Sequence, residues 1–204
     1  MFIFRGEMNS DFIMRELIVK SLEESVKLTE SFLNDKTQIN NIERAINLIV
    51  NALRSGKKIL SCGNGGSLCD AAHFAEELSG RFREDRKALA AIALSDPAFL
   101  TCCGNDFGYE KIFSRGVEAL GKNGDVLLAI STSGNSKNIV NAALKAKEMG
   151  ISVVALTAGG NNKLIPIADV SICAPSYSWS DRIQEIHIKC IHIIVQGVEK
   201  KIFG

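Results

Sequence analysis

The first 54 positions carry apolar residues in a helical rhythm. Ile13, Leu17, Val26 and Leu33 recur at near multiples of three to four, followed by Ile42, Ile46, Ile49 and Leu53. That is the spacing of a buried stripe on an amphipathic helix. It predicts helices over 10–34 and 39–54, with a polar break at Asp35–Thr37 and Gly56 closing the second. Beyond Gly56 the rhythm changes to short apolar runs: "KKILSCG", "ALAAIAL", "DVLLAIST", "ISVVALTA" and "DVSICAP". They alternate little between apolar and polar, as strands covered on both faces do. Helix-length segments at 67–79, 109–120 and 136–149, and a short one at 161–167, lie between most of them. Strand–helix alternation of this kind implies a parallel sheet with right-handed crossovers, an α/β fold.

The last stretch, 180–202, reads as a long helix. Ile or Val at 183, 186, 188, 191, 193, 194, 195 and 198 go most of the way round it. A helix apolar on most sides needs cover on most sides, so it is expected to meet an oligomer partner as well as its own sheet. No linker, low-complexity tract or second domain interrupts the chain.

Composition narrows the partners. The chain has 204 residues, 46% of them hydrophobic, with 24 basic and 23 acidic residues for a net charge of +1. That balance gives no electrostatic reason to expect nucleic acid or an anionic membrane as the main partner. "MFIFRGEMNSDF" is too short and interrupted for a signal peptide, and no apolar run approaches the roughly 18 residues of a membrane span. The expected setting is cytoplasmic. The six cysteines, at 62, 69, 102, 103, 173 and 190, form no C-x-x-C pair and read as small reduced hydrophobes.

Two loops stand out. Cys62-Gly63-Asn64-Gly65-Gly66-Ser67 and Ser131-Thr132-Ser133-Gly134-Asn135-Ser136 each follow an apolar run and open a helix. In open parallel sheets ligands sit at such strand-to-helix loops. Glycine lets a backbone come close to a ligand, and hydroxyls with helix N–H groups offer donors to an anion. The second loop has four hydroxyls and no side-chain charge, which suits a phosphate monoester. Neither loop fits a nucleotide fingerprint. As isolated stretches both also read as ordinary turns with N-caps; their equivalent placement favours a sugar phosphate or similar small anion.

Among titratable groups, His73 and Glu77 lie one helical turn apart. Glu76 points about 100° away from Glu77, so only one of the two carboxylates is expected to share the face of His73. An imidazole beside a carboxylate can ligate a divalent metal or serve as an acid–base pair. The final helix holds Gln184, His187 and His192. Gln184 and His192 are about 80° apart with roughly 12 Å of rise between them, and His187 is about 140° from His192. One ion touching both Gln184 and His192 is therefore awkward by spacing alone.

At this point "CGNGGSLCDAAHFAEEL", "GNDFGYEKIFSRGVEA", "DVLLAISTSGNSKN" and "DRIQEIHIKCIHIIVQ" resemble the phosphoheptose isomerases of the sugar isomerase (SIS) class, in order and over nearly the whole chain from about residue 12. The resemblance implies a five-stranded parallel sheet flanked by helices, a flavodoxin-like three-layer sandwich with two N-terminal helices. It also implies a homotetramer with shared active sites. The chain divides as one SIS domain: 1–11 an extension, 12–54 a helical segment, 57–204 the α/β core with its C-terminal helix. The implied reaction converts sedoheptulose 7-phosphate to D-glycero-D-manno-heptose 7-phosphate through an enediol, the first step toward lipopolysaccharide core heptose. Phosphate contacts fall on Ser131, Thr132, Ser133 and Ser136. Other substrate contacts fall on Asn64, Gly65, Gly66, Glu77, Asn105, Asp106 and Gln184. Zinc ligands map to His73, Glu77, Gln184 and His192, and the acid–base residues to Glu77 and His192. No nucleotide or redox cofactor is implied. Leu68 stands where relatives carry a small or polar residue. The alternatives are a non-catalytic SIS adaptor for the bacterial replication initiator, which has no need of the four-residue set, and an isomerase of another sugar phosphate.

Overall fold

All five apolar runs form strands, but shorter than the runs themselves. A computed structural model describes residues 7–204, with side chains from residue 12. Strands β1 (Ile59–Cys62), β2 (Ala91–Ala93), β3 (Val126–Ile130), β4 (Ser152–Ala158) and β5 (Val170–Ala174) build one sheet in the order β2-β1-β3-β4-β5. Every pairing is parallel. The helices are α1 (Glu7–Asn34), α2 (Lys36–Arg54), α3 (Gly66–Ser79), α4 (Pro97–Phe107), α5 (Ile112–Leu120), α6 (Lys137–Glu148) and α7 (Ser180–Phe203).

Helices cover both faces, making three layers. One core packs Ile42, Ile46 and Ile49 of α2, Phe74 and Leu78 of α3, and Ile191 and Ile194 of α7 onto Val126, Leu128, Val154 and Leu156. The other packs Phe113 and Val117 of α5 and Ile139 and Ala143 of α6 onto Leu127, Ala129, Val153 and Ala155. Alternate residues of β3 and β4 thus enter opposite cores, which is why the runs lack polar alternation. The strand order is that of the flavodoxin-like doubly wound sheets, with its switch point between β1 and β3.

Several expectations are corrected. The first helix begins at Glu7 rather than at 10, and residues 1–6 of the expected 1–11 extension lie outside the described residues. The break before α2 is Asp35 alone, whose carboxylate caps the helix by accepting from the Thr37 and Gln38 N–H groups. Segment 161–167 forms no helix. It is too short to repay nucleation, and the Asn162 carboxamide takes the Leu164 and Ile165 N–H groups at 3.1 Å each. A helix at 97–107 joins the expected ones, capped by Asp96, which accepts from Phe99 N at 2.7 Å, with Pro97 in its first turn. Of 109–120, the first three residues are a 3₁₀ turn.

Burial also differs. The stripe of α1 is uncovered: Ile13, Leu17, Val26 and Leu33 are all more than half exposed. Within the chain α7 packs on α1, α2 and α3, with Ile183, Ile186, Ile191, Ile194, Val195 and Val198 buried and Ile193 exposed. At the β5 edge, Gln38 accepts from Cys173 N at 2.7 Å and Asn41 donates to Ser171 O at 2.9 Å.

Candidate active site

β1 and β3 are neighbours, with Cys62 opposite Ala129, so the loops that leave them lie side by side. They are joined by a reciprocal amide pair. Asn64 Nδ2 donates to Asn138 Oδ1 at 2.9 Å, and Asn138 Nδ2 donates to Asn64 Oδ1 at 2.8 Å. The Tyr109 hydroxyl donates to the same Asn64 oxygen at 2.9 Å. With Ser136, these residues line a cavity of about 520 Å³. Neither Asn138 nor Tyr109 follows from the loop pattern, although Asn138 stands two residues past the serine run.

In the serine loop, Ser131 is buried and donates to Ser136 Oγ at 3.3 Å, while Thr132 is half-buried and Ser133 exposed. Ser136 occupies the N-cap of α6, yet its side chain makes no capping bond. The N-cap of α3, Gly65, has no side chain to give. Both helices therefore present N-termini without side-chain caps at one end of the sheet, the arrangement that favours an anion. Gly134 sits at φ +63°, and the loop behind it is braced by Asn162, whose carboxamide would lie 2.2 Å from a Cβ at that position.

The titratable groups come from two helices. Within α3, His73 Nε2 lies 3.3 Å from Glu77 Oε1. Glu76 is not turned away as its helical step suggested: its Oε2 lies 3.7 Å from His73 Nδ1. Positions three and four residues on straddle the imidazole, so each carboxylate faces a different nitrogen. Packing of α3 on α7 then brings His192 Nε2 to 3.0 Å from His73 Nε2. His73, Glu77 and His192 can each aim one ligand atom into a single group within 4.8 Å. Gln184, on α7, lies against the first loop, its amide nitrogen 2.8 Å from where a Cβ on Gly66 would be. His187, on another face as expected, is fully buried against Thr157 O at 3.2 Å, and burial pulls its pKa down to about 4.

Asn105 and Asp106, at the end of α4, are exposed and bond to one another at 2.8 Å. They make no hydrogen bond with either loop among the described residues. Leu68 has an apolar role, packing on the α5–α6 core and lining a recess with Leu100, Tyr109 and Phe113. Burial pushes the Cys62 thiol up to about 12, which removes it as a nucleophile beside the first loop.

The SIS domain pattern matches residues 22–158. The chain is 52% identical over 187 residues to the phosphoheptose isomerase of Pectobacterium atrosepticum, covering 92% of this chain and 97% of that one. It is 50% identical to that of Cytophaga hutchinsonii, covering 93% of this chain and all of that one. The chain belongs to the phosphoheptose isomerase family of SIS domain proteins. In the same family, the structure of phosphoheptose isomerase GmhA from Neisseria gonorrhoeae superposes with a TM-score of 0.85 at 38% identity, covering 92% of this chain and 99% of that one. The structure from Francisella tularensis gives 0.86 at 34%, over 92% and 98%.

Proposed function

We propose that the chain is an aldose–ketose isomerase converting sedoheptulose 7-phosphate to D-glycero-D-manno-heptose 7-phosphate, a step that supplies lipopolysaccharide core heptose. The observation that carries this reading is the meeting of His73, Glu77 and His192 beside two adjacent loops built for an anion. The names of relatives at about half identity support it. An adaptor has no use for such a cluster.

In this reading Ser131, Thr132, Ser133 and Ser136 hold the phosphate with neutral donors. Asn64, Gly65 and Gly66, with Asn105, Asp106 and Gln184, address the sugar. The Glu77 carboxylate removes a proton from C1 of the ketose. The C1–H electrons form the C1=C2 bond, and the C2 carbonyl oxygen takes a proton from His192, giving the enediol. The O1 proton then leaves to His192 as the C1 carbonyl forms, and the Glu77 carboxylic acid returns its proton to C2. No net proton or electron is gained, so no redox or nucleotide cofactor enters.

Two imidazoles and a carboxylate within one small group are a donor set that zinc accepts. His73, Glu77 and His192 would hold one zinc per subunit, with Gln184 as a further ligand; the ion when bound supplies Lewis-acid polarisation of the substrate carbonyl. We take the chain to work as a homotetramer with shared sites; the uncovered α1 stripe supports association between copies. No described helix is long and apolar enough to cross a membrane, and all six thiols are free; we place the chain in the cytoplasm.

Turnover of sedoheptulose 7-phosphate with the product identified by NMR tests the reading. Glu77→Gln is expected to stay folded and lose nearly all activity, since a carboxamide cannot act as the base. Chelation is expected to remove activity and added zinc to restore it. Normal turnover by Glu77→Gln would refute the assignment, and normal turnover by protein shown metal-free by elemental analysis would refute the zinc.

A further inference from the structure

α3 ends without a left-handed glycine: Gly80 has φ −90°. Its last carbonyls are taken by a side chain from downstream in the chain. Arg86 Nη2 donates to Glu77 O at 2.7 Å, and Nη1 donates to Leu78 O at 2.8 Å and Gly80 O at 3.1 Å. The Arg86 side chain is only 3% exposed, and its charge is met by Glu199 Oε2 at 3.7 Å. The other Glu199 oxygen accepts from Glu84 N at 2.9 Å. The guanidinium also lies over the Phe203 ring at 5.9 Å. Glu199 stands seven residues beyond His192 on α7. Seven residues turn a helix through about 700° with roughly 10 Å of rise, so His192 and Glu199 share a face two turns apart.

One side chain thus ties the turn that carries Glu77 to the helix face that carries His192. A buried Arg–Glu pair is a poor source of net stability, because desolvating two charges costs about as much as their attraction returns. What this pair does is fix geometry. We propose that Arg86, held in place by Glu199, is a positioning residue that locks the last turn of α3 so that the Glu77 carboxylate meets His73 and His192. The proposal rests on the isomerase reading for the role of Glu77, while the geometry it fixes is that of the three side chains themselves.

Arg86→Met keeps the apolar stem and removes every donor; Arg86→Lys keeps a charge and part of the capping; Glu199→Gln removes the counter-charge. Each is measured for kcat and KM with sedoheptulose 7-phosphate, and for Co²⁺ binding by visible absorption of the metal-stripped protein. Arg86→Met is expected to lower kcat about a hundredfold, the order of effect of an ångström-scale misplacement. Its KM is expected to stay within about threefold, because the serine loop belongs to a different helix. Its Co²⁺ affinity is expected to fall by about tenfold, as for other residues that orient metal ligands. Arg86→Lys should recover part of both, and Glu199→Gln should lose less than Arg86→Met. A merely structural role would lower the melting temperature yet leave kcat per folded molecule and Co²⁺ affinity at the wild-type values, and that result overturns the proposal. If Arg86→Met does not fold, wild-type kcat and Co²⁺ affinity in Arg86→Lys and Glu199→Gln overturn it equally. Wild-type protein inactive on the sugar phosphate would sink the isomerase reading instead, and the Co²⁺ comparison would still decide Arg86.

Discussion

Replacing Gly134 by alanine tests whether the serine loop is braced from behind. The backbone there is at φ +63°, which costs an L-residue about 1–2 kcal/mol. The new methyl would also stand 2.2 Å from the Asn162 carboxamide carbon. That carboxamide is nearly buried and cannot simply rotate away. It donates to Thr157 Oγ1 at 3.3 Å and Ala158 O at 3.2 Å, and accepts from Leu164 N and Ile165 N. Losing about half of these bonds at roughly 1 kcal/mol each brings the expected loss to about 3–4 kcal/mol. Urea denaturation at neutral pH measures it, with the slope checked against wild type. The double mutant with Asn162→Ala removes the obstacle, so the pair is expected to be less destabilised than the sum by about 2 kcal/mol. KM for the sugar phosphate should rise in Gly134→Ala and kcat should change little. Strict additivity, or a Gly134→Ala protein within about 0.5 kcal/mol of wild type, would refute the brace.

His187 makes stability depend on pH. Its folded pKa is lowered from 6.5 to about 4, so between those values the unfolded chain binds the proton and the folded chain does not. Stability is then complete above pH 6.5 and falls as pH drops toward 4, by about 3 kcal/mol in all. His187→Gln should flatten that slope in urea titrations at several pH values; an unchanged slope would show that other groups set it. Asn138→Ala strips Asn64 of its amide partner, and should cost about 1–3 kcal/mol and raise KM severalfold. Wild-type stability and KM together would remove the amide pair from the site.

The sheet was legible because its strands are covered on both faces, which leaves apolar runs that end abruptly. The stripe of α2 is buried as its spacing said, with Ile42, Ile46 and Ile49 in the core. The same spacing in α1 gave the helix but not its cover, because amphipathicity reports that a face is apolar and not what lies against it. The signals for α4 were present in Asp96 and Pro97, an N-cap followed by the residue suited to a first turn, but the run between two strand-like stretches hid them. Within the site, His73 and Glu77 could be paired from spacing because one helix holds both. His192 could not be added by such reasoning: it meets His73 only through the packing of α3 on α7, across 119 positions of sequence. Arg86 was silent for the same reason, its bonds to the Glu77, Leu78 and Gly80 carbonyls being a matter of backbone closure.

The side chains of Gln38 and Asn41 on the rim of β5 bear on how molecules of this kind can associate. An open sheet edge is a template on which another chain can add a strand. Here the Cys173 N–H and the Ser171 carbonyl are already engaged by α2. The opposite edge, β2, is only three residues long. A second chain therefore finds little backbone to zip onto at either side, and strand exchange or fibre growth through the sheet is discouraged. The exposed apolar side chains of the molecule lie instead mostly on its helices, Ile13, Leu17 and Val26 of α1 among them.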